Sequence, residues 1–91
     1  MKTLNDLLNE RLKDENFKKE WEAFQPELQL MQQLIKERSN QNISQKELAD
    51  RMGTKQANIS RIENGNANPS LDFLKRLAKA LGKKLEIKFV D

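Results

Sequence analysis

The chain has 91 residues, 36% of them hydrophobic, with 17 Lys and Arg against 14 Asp and Glu and a net charge of +3. It contains no Cys and no His, which excludes disulfides and thiolate metal centres and removes the commonest general base, so neither catalysis nor a metal or other cofactor is expected. Its apolar runs are no longer than pairs such as Leu7-Leu8, far short of the roughly twenty residues that span a bilayer, so a soluble cytoplasmic protein of one small domain is expected.

Charge is unevenly spread. Residues 1–43 hold seven Lys and Arg against eight Asp and Glu, whereas residues 44–91 hold ten against six. Most surface charge only solubilises, but a basic excess confined to one half favours a polyanionic partner for that half.

In chain order, Leu4, Leu7, Leu8 and Leu12 share one helical face behind a capping Thr3. After the polar break Asp14-Glu15-Asn16, Phe17, Trp21 and Phe24 repeat the spacing. Pro26 suits a helix's first turn, so a third helix is expected from there, with Leu28, Met31, Leu34 and Ile35 as its stripe and its end in Ser39 to Asn42. Ser44-Gln45-Lys46-Glu47 reads as a capping box, with Ser44 as cap and Glu47 reaching back. Leu48, Ala49 and Met52 then face inward, and Gly53 stops the helix in the left-handed conformation. Thr54 is the expected cap of the next helix, with Ile59 and Ile62 inside and Asn64-Gly65 at its end. After a loop, Ser70 caps a last helix with Leu71, Leu74, Leu77, Ala78 and Leu81 inside and Gly82 behind it.

The tail alternates Leu85, Ile87 and Phe89 with Lys84, Glu86 and Lys88, the pattern of a strand with one apolar face. No second strand pattern exists in the chain, and a lone strand leaves its backbone unpaired. The tail is therefore expected to pair with another chain, either a second copy through Leu85, Ile87 and Phe89 or a partner's sheet, unless it merely packs as an extended segment. The expected fold is all-α: a compact helix-turn-helix bundle at 26–83, an N-terminal helical arm at 1–25 and one short strand at 84–91.

A short turn between two helices sets a steep crossing angle and leaves the second helix as a rod with one free face, a shape that fits the major groove of B-DNA. The same unit also occurs as pure scaffold. "QKELADRMGTKQANISRIENG" resembles the helix-turn-helix of Cro-like and lambdoid phage repressors, the xenobiotic-response-element family. The likeness rests on Gln45, Ala49, Gly53, the Ile59/Ile62 pair and Glu63-Asn64-Gly65, and extends through Asn68-Pro69 and "LKRLAKALG" to cover about residues 28 to 83.

The resemblance implies roles. Gln45 meets a phosphate from a helix N-terminus and buttresses base contacts. Gln56 reads a base, adenine being its natural pair, Ala57 touches only a thymine methyl, and Arg61 reaches guanine or a phosphate. Thr54, Lys55, Asn58 and Ser60 complete the polar face, and Asn64, Asn66 and Asn68 approach phosphates. Plain solvent exposure remains the alternative for each of these side chains. Arg38 and Glu63 match a family pair that forms a partly buried salt bridge.

In the arm, Leu4, Leu7, Leu8, Leu12, Phe17, Trp21 and Phe24 either enlarge the core or form a docking surface for another protein. The order of arm, repressor-like domain and "LGKKLEIKFV" resembles HigA-type antitoxins over nearly the whole chain. That resemblance implies a HigB/RelE-like toxin, a ribosome-dependent mRNA endonuclease, as a partner bound by the arm. It also implies that the chain blocks this toxin and represses its own operon. Because a single helix-turn-helix reads too few base pairs to be selective, a homodimer on palindromic double-stranded DNA is expected, a heterotetramer with toxin. A stand-alone phage-type or restriction–modification repressor, and a protein-binding scaffold with a silent helix-turn-helix, are the competing readings.

Overall fold

The computed structural model describes residues 2–91. Five helices follow one another: α1 (Leu4–Arg11), α2 (Glu15–Asn40), α3 (Gln45–Met52), α4 (Gln56–Glu63) and α5 (Leu71–Ala80). The all-helical class is as expected. α1 opens on a reciprocal cap in which the Thr3 hydroxyl accepts from the Asp6 amide and the Asp6 carboxylate accepts from the Thr3 amide. The Thr3 amide, and after it the Thr3 hydroxyl, hold the Asp6 carboxyl below its ordinary range.

Asp14 caps α2, accepting from the amides of Asn16 and Phe17. α2 then runs without interruption through Pro26, which lies inside the helix and not in a first turn. The boundary expected at 25/26 therefore falls within one helix. An interior proline removes a backbone bond and costs roughly 3 kcal/mol. The apolar stripe explains why the helix continues. Phe17, Trp21, Phe24, Leu28 and Met31 are spaced by four, three, four and three, so the stripe keeps its phase across Pro26. Pro26 itself sits on the exposed side. At 26 residues α2 is about 39 Å long by the helical rise and nearly spans the molecule's longest dimension of 43 Å.

The core lies at the other end of α2. Leu34, Ile43, Leu48, Ala49, Met52, Ile59, Ile62, Leu77 and Leu81 are buried together, with Leu30, Phe73 and Leu74 packed against them. Leu34, Leu48 and Ile59 are almost wholly enclosed, each worth about 1.5–3 kcal/mol of transfer free energy. Two expected core residues face out instead: Ile35 is 42% and Leu71 50% exposed. In α5 it is Phe73, packed against the core, and not Leu71 that completes the inward face.

The expected C-terminal strand is not formed. Residues 83–91 carry no regular secondary structure and belong to no sheet. Leu85 is 37% exposed, Ile87 63% and Phe89 fully exposed. Alternation alone does not make a strand, because its donors and acceptors need a second strand to pair with, and there is none among the described residues.

Candidate nucleic-acid interface

α3 begins where the Ser44 hydroxyl accepts from the Glu47 amide at 3.0 Å. The return bond expected from the Glu47 side chain is not made, so only half of the capping box is present. Gly53 closes α3 at φ 68°, ψ 34°. The Thr54 amide donates back to the Ala49 carbonyl at 2.9 Å, and the Gly53 amide to the Asp50 carbonyl at 3.1 Å. A Cβ at Gly53 would meet nothing within 4 Å, so the left-handed backbone, not crowding, calls for glycine here.

Thr54 does not cap α4 as expected. Its amide is committed to ending α3, and the cap of α4 is Lys55, which makes no side-chain capping bond. The Thr54 hydroxyl instead accepts from Asn58 Nδ2 at 2.8 Å. The Arg76 guanidinium, from α5, donates to the Met52 carbonyl at 2.7 Å, tying the end of α3 to the bundle.

α4 turns Ile59, Ile62 and Glu63 inward, all buried. Gln56, Ala57, Arg61 and Asn64 are exposed, while Asn58 and Ser60 are half-buried on the flanks. At about 100° per residue, Ala57 lies nearest the centre of the free face, with Arg61 and the capping Asn64 to either side of it. Gln56 stands on the side nearest α3, its Nε2 3.5 Å from Gln45 Oε1. The fold thus brings together two glutamines eleven positions apart. Arg61 NH1 donates to Asn58 Oδ1 at 3.2 Å, and Asn64 Nδ2 to Ser60 Oγ at 3.4 Å. Beyond them Arg61, Asn58, Asn66, Asn68, Ser70 and Phe73 line an open hollow of about 370 Å³. Lys55, Asn66 and Asn68 are exposed and Thr54 is half-buried. An eight-residue helix is about 12 Å long, and the major groove is about 12 Å wide, so this face is of a size to lie in it.

The rod is held from behind by an ion pair. Arg38 donates from Nε to Glu63 Oε2 at 3.0 Å, from NH2 to Glu63 Oε1 at 2.8 Å and from NH1 to the Ile43 carbonyl at 3.0 Å. The Glu63 side chain is only 6% exposed and that of Arg38 22%. The Glu63 hydrogen bonds raise the Arg38 pKa further above its ordinary value. Since these partners are 25 positions apart, no local pattern announces them.

The arm residues lie elsewhere. On α1, Leu4 is 82% and Leu7 47% exposed, and no residue of this helix is buried. Leu8, Leu12, Phe17, Trp21 and Phe24 are half-buried. Phe17 and Trp21 stack with centroids 6.4 Å apart, Trp21 tilts on Phe24, and the Arg11 guanidinium lies 4.8 Å over the Phe17 ring. Phe24 and Met31 reach the turn after α4, where a Cβ at Gly65 would sit 3.0 Å from the Met31 sulfur. Sequence reasoning missed Arg76 and the Thr54–Asn58 bond. Arg76 has no local signal, whereas the spacing of four between Thr54 and Asn58 is one. Among the described residues, no acidic cluster is disposed to hold a metal ion, and no helix is long and apolar enough to cross a membrane.

Two short helices joined through a left-handed glycine, the second with a free polar face, form a helix-turn-helix unit of the nucleic-acid-binding kind. A family model described as helix-turn-helix, of the Cro/C1 and XRE-like type, matches residues 34–88, more than half of the chain, and the chain belongs to this family. A protein of Haemophilus influenzae described as an uncharacterized HTH-type transcriptional regulator is 47% identical over 58 residues. That stretch covers 64% of this chain and 59% of the relative's length. No solved structure gives a significant match.

Proposed function

We propose that this chain is a transcriptional regulator that binds palindromic double-stranded operator DNA as a homodimer. The observation that carries the reading is the free polar face of α4, fixed from behind by the Arg38–Glu63 pair and flanked by the Gln45–Gln56 contact. Gln56 and Arg61 read base edges, and Gln45, Lys55, Asn64, Asn66 and Asn68 position the rod on phosphates. One such helix reads too few base pairs to be selective in a genome, so two copies set their recognition helices about 34 Å apart. The exposed apolar row Leu85, Ile87 and Phe89 contributes to the contact between copies. A titration of the double variant Q56A/R61A on upstream intergenic DNA tests the reading. Binding weakened at least tenfold is expected, each lost base contact being worth about 1–3 kcal/mol, and unchanged binding refutes the assignment of α4.

Within that reading we assign the finer role of a HigA-type antitoxin, which neutralises a HigB/RelE-like mRNA endonuclease and represses its own operon. What favours it over a stand-alone repressor is the arm. α1 carries leucines and no buried residue, so it adds little to the core and offers anchors for a partner groove. Co-purification with the product of the adjacent reading frame tests this. Deleting residues 1–13 removes α1 and keeps the Asp14 cap of α2, and should abolish capture of that neighbour while DNA binding persists. Capture unaffected by the deletion refutes the assignment of α1. Absence of any captured neighbour favours the stand-alone repressor.

A further inference from the structure

On the side of α4 nearest the 66–70 loop, three polar side chains form a relay. Asn58 Nδ2 donates to Thr54 Oγ1 at 2.8 Å, and Asn58 Oδ1 accepts from Arg61 NH1 at 3.2 Å. Asn58 and Arg61 are three apart on α4, and the hydrogen bond to Asn58 brings in Thr54, which lies just ahead of the Lys55 cap. Thr54 is a fixed point, because its amide is bound to the Ala49 carbonyl at 2.9 Å where α3 ends. Asn58 is half-buried and has both ends of its carboxamide engaged. Among the described residues, Asn58 is the only hydrogen-bond partner of the exposed Arg61 side chain. Arginine is long and flexible, and holding it in one rotamer before contact reduces the ordering it must undergo on binding. One of its five donors is used by Asn58, which leaves a fork free for a bidentate acceptor.

We propose that Asn58, anchored on Thr54, is a positioning residue that aims the Arg61 guanidinium at a guanine edge and thereby sets the preference at one operator position. This rests on the DNA-binding reading above. Asn58 is assigned no base of its own: one N–H of its carboxamide is turned to Thr54 and its oxygen to Arg61, which holds the half-buried group on the flank of α4. Thr54, counted with the polar face by resemblance, acts through Asn58.

Selection from a randomised double-stranded DNA library tests the proposal, with full-length wild-type chain, R61A, N58A, T54V and T54S. R61A should relax one position, with a loss of preference of about tenfold, as for one bidentate base contact. N58A should relax the same position by roughly two- to fivefold, the worth of one exposed hydrogen bond, and leave the others unchanged. T54V keeps the branched shape without the hydroxyl and should follow N58A, whereas T54S keeps the hydroxyl and should restore the wild-type profile. N58A/R61A should match R61A alone. If N58A relaxes a different position, Asn58 is a reader and the relay is wrong. If N58A or T54V leaves the profile unchanged, the relay is equally wrong. Failure of the wild-type chain to enrich any sequence overturns the DNA-binding reading itself, and the relay with it.

Discussion

Replacing Arg38 with Ala removes three hydrogen bonds at once, two to Glu63 and one to the Ile43 carbonyl. The carboxylate left behind is 6% exposed, so water cannot replace what it loses. Stranding one member of a buried pair costs about 3–5 kcal/mol. Arg38 is itself 22% exposed, which places the expected loss near the lower end, about 3 kcal/mol. A domain of this size holds about 5–15 kcal/mol in total, so the variant should remain folded at low temperature but melt much earlier. At about 4–8 °C per kcal/mol, the midpoint should fall by roughly 12–24 °C. Thermal and urea melts followed by circular dichroism measure this directly. The double variant R38M/E63L removes both charges and fills similar volume, and should recover most of the loss. The pair joins α2 to α4, so operator affinity should fall with stability and return with it. A loss below about 1 kcal/mol for R38A, the value of a surface ion pair, would refute the reasoning and assign the α2–α4 junction to apolar packing alone.

Gln45 and Gln56 should separate by specificity: Q56A should cost about 1–3 kcal/mol and relax one operator position, whereas Q45A should weaken binding to all sequences alike in a titration series. Gly53→Ala should destabilise by about 1–2 kcal/mol through backbone strain alone, while Gly65→Ala, at φ 74° and 3.0 Å from the Met31 sulfur, should cost more in a urea melt. Asp6 has its pKa lowered from 3.8 by the Thr3 cap. Its contribution is therefore present above that value and lost as the pH falls below it, so α1 amides should lose protection in acid, measured against their intrinsic exchange rates, while those of α3 and α4 keep theirs; D6N should remove the dependence.

The sequence by itself determined the local elements, because their causes lie within a few residues. Ser44, Ser70 and Thr3 cap helices as their hydroxyls predict, and Gly53 takes the left-handed turn that ends α3. The alternation of Ile59 and Ile62 with polar neighbours likewise marked which face of α4 would be left free. Tertiary structure decided whatever depended on a distant or competing partner. Pro26 looked like a helix start, but the packing stripe on both sides of it outweighed one lost backbone bond. Thr54 looked like a cap, but the close of α3 took its amide and Asn58 its hydroxyl. The tail alternates like a strand, yet strand pairing needs a second segment, and none is present among the described residues. The Arg38–Glu63 bridge, carried from family likeness alone, and the Arg76 bond to the Met52 carbonyl join positions 25 and 24 residues apart. No periodicity encodes such contacts, because they exist only once the helices have packed.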